Sequence, residues 1–101
     1  MLKAVCMFKL KKDTDKKEFE VFFKNHVEQA KKLKNLKRYT ISKIVDLKDE
    51  DVVYRINELY YESVADIEES FSSDLAKEGT EELLERVQDF KCIIVEEEVV
   101  L

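Results

Sequence analysis

The sequence contains a single histidine, His26, at a position where ionisable side chains are uncommon. At 100° per helical residue, it falls in the middle of an apolar stripe. That stripe consists of Phe19, Phe22, Phe23, Ala30 and Leu33. An imidazole with an ordinary pKa of about 6.5 can exchange a proton near neutral pH. Two interpretations stay open: a core histidine with satisfied hydrogen bonds, or a general acid or base.

Polar groups on predicted strands form a second set of candidates. The tyrosines Tyr39, Tyr54, Tyr60 and Tyr61 carry phenols that can bind or protonate a carbonyl oxygen. Asn57 and Glu58 interrupt the apolar pattern of a central strand and therefore need polar partners. By alternation Glu58 shares a face with Tyr54, Ile56 and Tyr60, which predicts a Tyr/Glu/Tyr row. The alternative for Glu58 is a salt bridge to a lysine on a neighbouring strand.

The sequence lacks the motifs that several classes of enzyme and metal site require. The sequence has no glycine-rich phosphate loop, nucleophile elbow, Cys-x-x-Cys pair or histidine pair. Cys6 and Cys92 are too few and too far apart for a zinc framework, so we interpret them as small buried apolar residues. We expect no metal and no cofactor.

Composition bounds the class of protein. A chain of 101 residues is long enough to bury one hydrophobic core and too short for two, so we expect a single domain over residues 1–101. A charged fraction of 41%, with one Gly and no Pro or Trp, is typical of heat-adapted proteins. The net charge of −5 argues against nucleic-acid binding. Because Lys3 and Lys9 interrupt the apolar start, we expect no signal peptide, no membrane span and a cytoplasmic location.

Hydrophobic periodicity predicts the elements that must position these side chains. Alternation predicts strands over Met1–Leu10 and Leu36–Leu47. β-Branched and aromatic residues predict a third over Val52–Tyr61, and β-branched residues predict a last one over Lys91–Leu101. Helical spacing predicts a long amphipathic helix over Asp15–Leu33, with a polar cap at its start.

Shorter signals fill the rest of the chain. The acidic run from Lys48 to Asp51 predicts a hairpin loop between the second and third strands. Ser63, with Asp66 three residues later, predicts the cap of a short helix. Thr80 is expected to open a further helix that carries Val87 and Phe90.

The resulting β-α-β-β-α-β order predicts an α+β, ferredoxin-like fold. Its antiparallel four-stranded sheet would have the order 4-1-3-2, with helices on one face. The opposite face should then be polar, yet each parity of the first strand carries apolar side chains, including Val5 and Met7. An apolar face of this kind usually marks an interface. We therefore expect a homodimer that pairs sheet against sheet.

The sequence resembles the EthD-like family of dimeric α/β barrels. The resemblance spans most of the chain and depends on Phe19, Phe23, His26, Leu33, the segment 36–39, the segment 54–63 and Asp89-Phe90. Its most specific parts are the helix histidine and the Glu-Leu-Tyr-aromatic segment beginning at Glu58. The sequence departs from the family pattern at Glu28 and at Lys34-Asn35, where a proline and a Pro-Gly are frequent.

The resemblance implies a ferredoxin-like subunit paired with its twin, with a small organic ligand beside the sheet. The superfamily includes lactone isomerases, polyketide cyclases and cofactor-free monooxygenases. The leading hypothesis is a cofactor-free enzyme in which His26 is catalytic and Tyr39, Tyr54, Glu58 and Tyr60 contact a hydrophobic substrate. The alternative is a non-catalytic dimeric module for a small ligand or a protein partner. A third interpretation is haem binding, which some barrels of this superfamily perform.

Overall fold

The fold is described from a computed structural model, which covers residues 1–46, 48 and 51–101. Seven elements follow one another along the chain: β1 (Leu2–Leu10), α1 (Lys16–Ala30), β2 (Arg38–Lys43), β3 (Arg55–Tyr61), α2 (Val64–Phe71), α3 (Asp74–Leu84) and β4 (Val87–Glu96). The predicted α+β order is confirmed, with two helices between β3 and β4.

The four strands form one antiparallel sheet in the order β2-β3-β1-β4, which confirms the predicted 4-1-3-2 arrangement. Ala4, Cys6 and Phe8 of β1 are buried beneath the helices, on what we call the helix face. One core cluster joins Phe8 to Phe19 and Phe23 of α1. A second cluster surrounds Ala4. The helices therefore cover one side of the sheet.

Helix α1 begins and ends at polar caps. The Asp15 side chain accepts hydrogen bonds from the backbone nitrogens of Lys17 (2.9 Å) and Glu18 (3.3 Å), which satisfies free N–H groups of the first turn. The helix ends at Ala30, before the predicted Leu33. Asn35 then takes a left-handed φ of 67°, a conformation that asparagine tolerates, and the chain turns into β2.

The region between β3 and β4 differs from the prediction in its boundaries. Ser63 caps α2 as expected, with its Oγ 3.1 Å from the backbone nitrogen of Asp66. Helix α3 is capped by Ser73 and begins at Asp74, so the prediction that Thr80 opens it was wrong. Val87 and Phe90 lie on β4 rather than on a helix. Strand β4 ends at Glu96, and the last three residues are exposed.

The second and third strands are shorter than predicted. β2 ends at Lys43 and β3 begins at Arg55 rather than Val52. Leu47 of the predicted second strand lies outside the described residues. Asp49 and Glu50 of the predicted acidic loop also lie outside them.

The side of the sheet without helices is called the open face. Its apolar centre consists of Val5 and Met7 of β1, Ile56 of β3, and Ile93 and Val95 of β4. Ile93 has 53% of its surface exposed. Lys3 of β1 and Glu58 and Tyr60 of β3 share this face. In the described part of the chain, no helix combines the length and the apolar character needed to cross a bilayer.

Candidate functional site

A cavity of about 420 Å³ opens between the helices and the helix face of the sheet. Its roof comes from α1, α2 and α3, and its floor from all four strands. The wall is mostly apolar, with Leu33, Leu59, Phe71, Leu75, Leu83 and Phe90. The polar or charged residues of the lining are His26, Gln29, Tyr39, Asn57, Lys77, Thr80 and Glu81. A mostly apolar wall with some polar groups is usual for a site that binds a small organic ligand.

His26 reaches this cavity from α1. Its ring stacks on Phe23, with centroids 5.7 Å apart and planes inclined by 14°. Burial lowers the pKa of His26 from its ordinary value of 6.5, and the charge of Glu82 partly opposes the shift. Within residues 1–46, 48 and 51–101, the imidazole has no hydrogen-bond partner. A neutral ring with a free nitrogen at a cavity wall can accept a proton.

Tyr39 of β2 also lines the cavity, so the structure brings this predicted residue together with His26. Burial raises the pKa of its phenol to about 12. The hydroxyl therefore stays protonated at neutral pH and can donate a hydrogen bond to a carbonyl oxygen.

Asn57 is a cavity residue whose role the sequence did not indicate. It lies on β3 opposite Cys6 of β1 and Ile41 of β2, with only 4% of its surface exposed. Its Oδ1 is buried and has no hydrogen-bond partner among the described residues. An unpaired buried carbonyl costs free energy unless a ligand or water donates to it. The signal in the sequence was a polar residue in the middle of a central strand.

Tyr54 does not line the cavity. Its ring packs edge-on against Phe19 at 5.6 Å, and its hydroxyl donates to Glu20 Oε1 over 2.6 Å. Arg55 donates to the same carboxylate oxygen over 2.7 Å. Tyr54 precedes the first residue of β3, so strand alternation does not fix its direction.

Glu58 and Tyr60 lie on the open face, which the sheet separates from the cavity. The Tyr60 hydroxyl donates to Glu58 Oε2 over 3.0 Å, and Lys3 Nζ lies 3.2 Å from the same oxygen. The salt bridge considered for Glu58 is therefore present. The predicted Tyr/Glu/Tyr row is corrected, because Tyr54 turns into the helix-side core while Glu58 and Tyr60 face the other way.

Cys6 and Cys92 are directly opposed on β1 and β4, and they form a disulfide. Both line the cavity. Cys6 is buried, but Cys92 is exposed on the edge strand, which corrects the interpretation of both as buried apolar residues. In the part of the chain that the structure covers, no three His, Cys, Asp or Glu side chains gather closely enough to hold a metal ion.

Comparison of the sequence with protein-family profiles and with curated proteins finds no match. Solved structures do match. An EthD family protein from Bacillus halodurans is 22% identical, has a TM-score of 0.81, and is covered over 97% of this chain and 99% of that chain. A hydroxynitrile lyase from Passiflora edulis is 14% identical, with a TM-score of 0.82 and coverage of 99% and 95%.

Two further solved structures have a similar fold. A cofactor-independent oxygenase from Streptomyces nogalater is 12% identical, with a TM-score of 0.78 and coverage of 99% and 95%. A protein from Bacteroides fragilis, described as dimeric with a ferredoxin-like fold, is 14% identical, with a TM-score of 0.77 and coverage of 94% of each chain. The chain therefore has the ferredoxin-like fold of these structures, as the resemblance implied.

Proposed function

We propose that this protein is a small cofactor-free enzyme that acts on a small hydrophobic substrate in the cavity between helices and sheet. The observation that carries the proposal is that one apolar cavity holds the His26 imidazole and the buried Asn57 Oδ1, neither of which has a hydrogen-bond partner among the described residues. Burying such polar groups without hydrogen bonds lowers the stability of a core, whereas beside a ligand they can bind it or exchange protons with it. The EthD-like resemblance and the oxygenase of similar fold support the same class.

The three polar side chains have complementary roles in this proposal. Neutral His26 takes a proton from the substrate as a general base and returns it as a general acid. The protonated phenol of Tyr39 donates to a carbonyl oxygen on which negative charge develops. Asn57 Oδ1 accepts from a hydroxyl or N–H of the substrate and fixes its orientation. The apolar wall supplies affinity without charge.

A non-catalytic ligand-binding module is the second candidate, and one contact favours it. The His26 ring stacks on Phe23 and lies 5.8 Å from the Phe22 ring centroid, as a core side chain would. In this reading the imidazole only forms part of the wall. The same cavity then binds its ligand without converting it.

The test begins with a thermal-shift screen of small neutral aromatic and lactone compounds against the full chain. Each compound that raises the melting temperature is then incubated with the protein, and its conversion is followed by mass spectrometry. We expect turnover by the wild type and a loss of about 100-fold or more in kcat for His26→Gln. The Tyr54→Phe variant is the matched control, because Tyr54 lies outside the cavity, and its turnover should be unchanged.

Three results separate the candidates. Binding without turnover by the wild type, together with unchanged affinity in His26→Gln, would establish the binding module. Equal turnover by the wild type and His26→Gln would remove His26 from the mechanism. A change in the haem absorption band on titration with the protein would instead support the haem interpretation.

We further propose that two subunits pair through their open faces. The apolar centre of this face, with Val5 and Ile93 side by side across β1 and β4, is contiguous. A second copy of the chain would cover it, with the twofold symmetry usual for dimers. Lys3 and Glu58 lie beside this centre on β1 and β3, and they pair with each other within the subunit. The neighbour described as dimeric supports this proposal.

A further inference from the structure

The disulfide between Cys6 and Cys92 has no part in the chemistry proposed for His26. It joins the central strand β1 to the edge strand β4, with Cα atoms 4.1 Å apart and a separation of 86 positions in sequence. It also forms part of the cavity floor. A bond at this position can therefore change both the cohesion of the sheet and the cavity wall.

The two sulfur-bearing residues differ in access to solvent. Cys6 has 8% of its surface exposed, whereas Cys92 is an exposed residue of β4. β4 pairs with β1 alone in the described sheet, so one flank of the edge strand has no neighbouring strand. A molecule from solution would meet Cys92 first and Cys6 second. This is the arrangement of an attacking thiol with a resolving thiol behind it.

We propose that Cys92 and Cys6 form a reversible thiol–disulfide exchange site for small soluble disulfides such as oxidised glutathione. The exposed residue makes the first contact, and the buried one resolves the mixed disulfide. The register of β1 and β4 holds the two residues directly opposite each other, so that resolution needs no movement of the strands.

The reaction balances in two steps. The Cys92 thiol loses its proton, and the thiolate attacks one sulfur of oxidised glutathione, so that a glutathione thiolate leaves. The Cys6 thiol then loses its proton and attacks the Cys92 sulfur of the mixed disulfide. The Cys6–Cys92 bond forms and a second glutathione thiolate leaves. Two cysteine thiols are oxidised, and one glutathione disulfide is reduced to two glutathione molecules.

Asn57 links this site to the cavity. It lies opposite Cys6 on β3, so the two side chains project side by side from the helix face. A reduced Cys6 carries an S–H group that is a weak donor beside Asn57 Oδ1, which has no partner among the described residues. In the oxidised pair that donor is gone. Oxidation therefore leaves the carbonyl of Asn57 available to other donors.

The experiment follows the fully reduced chain after addition of oxidised glutathione at about pH 8, where a substantial fraction of an exposed thiol ionises. Intact-mass spectra are recorded over time after acid quenching. For the wild type we expect the loss of two hydrogens with only a transient glutathione adduct. Cys6→Ala should accumulate a stable adduct of one glutathione on Cys92. Cys92→Ser should form its adduct about 10-fold more slowly or worse, because Cys6 is buried.

Melting curves provide a second readout that does not depend on mass. The bond closes nearly the whole chain into a loop, so oxidation should raise the melting temperature by about 10 °C or more over the reduced form. Cys92→Ser should show no such shift between reducing and oxidising buffers. Circular dichroism at the start of each experiment establishes that the variants are folded.

Some outcomes would overturn the proposal. A wild type that keeps glutathione adducts as Cys6→Ala does would show that Cys6 does not resolve them. Equal rates for the two single variants would remove the assigned order of attack. A reduced wild type that stays reduced in excess oxidised glutathione would show that the pair is no exchange site. None of these readouts depends on turnover in the cavity.

Discussion

Gly79 of α3 faces the imidazole of His26 across the roof of the cavity. A Cβ added to Gly79 would lie 3.5 Å from His26 Cε1 and 3.8 Å from Nδ1, which is ordinary van der Waals contact. The glycine has no positive φ and lies inside a helix. It therefore leaves open space beside the ring at a cost in helix stability.

Gly79→Ala should stabilise the protein and weaken its site. Alanine favours the helix by about 1 kcal/mol, so the free energy of unfolding should rise by a similar amount. The new methyl group occupies space beside His26, so affinity for cavity ligands should fall. Urea denaturation and ligand titration measure the two effects.

Ala76→Gly, at another cavity position of α3, is the control, and its free energy of unfolding should fall by about 1 kcal/mol. A destabilised Gly79→Ala would mean that the ring cannot tolerate the contact.

Protonation of His26 should destabilise the fold at mildly acidic pH. Burial lowers its pKa below 6.5 in the folded protein, so between these two values the unfolded chain binds more protons. The contribution of His26 to stability is complete above pH 6.5 and declines as the pH falls toward the lowered pKa. Below the lowered pKa the loss is complete. Denaturation of the wild type and His26→Gln at several pH values tests this, and parallel curves would contradict it.

Asn57→Leu should stabilise the protein while it removes a ligand contact. The substitution eliminates a buried carbonyl oxygen that has no partner among the described residues, so stability should rise by about 1 kcal/mol. The cavity has room for the larger side chain. Affinity for ligands with a hydroxyl or N–H group should fall. Chemical denaturation and calorimetric titration are the measurements.

Ser70→Ala is the contrasting control for Asn57. Ser70 is fully buried, and its hydroxyl forms a 2.8 Å hydrogen bond with the Tyr61 hydroxyl. The substitution to alanine removes this hydrogen bond. This variant should lose about 1 to 2 kcal/mol. If Asn57→Leu loses stability as Ser70→Ala does, then Asn57 has a structural role in the core.

Ile93→Lys should convert the proposed dimer to monomers. A lysine in the apolar centre of the open face cannot be paired there, whereas in a single subunit it remains exposed to water. Light scattering should give twice the chain mass of 12.0 kDa for the wild type and the single mass for the variant. Val21→Lys, at an exposed position of α1, should stay dimeric. A wild type of 12.0 kDa at micromolar concentration would contradict the dimer.

Sequence patterns predicted the elements well where alternation or helical spacing ran over many residues, as in β1 and α1. They were weaker between β3 and β4, where Thr80 was expected to open a helix but lies inside α3, which Ser73 caps. Gly79 lies inside α3 with His26 beside it, a neighbour that no local pattern in the sequence indicates.

The cavity was harder to predict because its parts are distant in sequence. His26, Tyr39 and Asn57 lie on three different elements, and nothing local in the sequence brings them together. Tyr54 was misassigned because alternation was extended to the residue before the start of β3. The opposition of Cys6 and Cys92 depends on the register of β4, which a sequence pattern does not fix.

Alternation along β3 places Asn57 and Glu58, adjacent in the chain, on opposite sides of the sheet. The cavity lies on the helix side of the sheet, so subunit pairing through the open face would set two cavities back to back without sharing a wall. Ligand saturation should accordingly be hyperbolic, with two equivalent and independent sites per dimer. Substitutions on the open face would then change which subunits associate without changing the ligand specificity of the cavity.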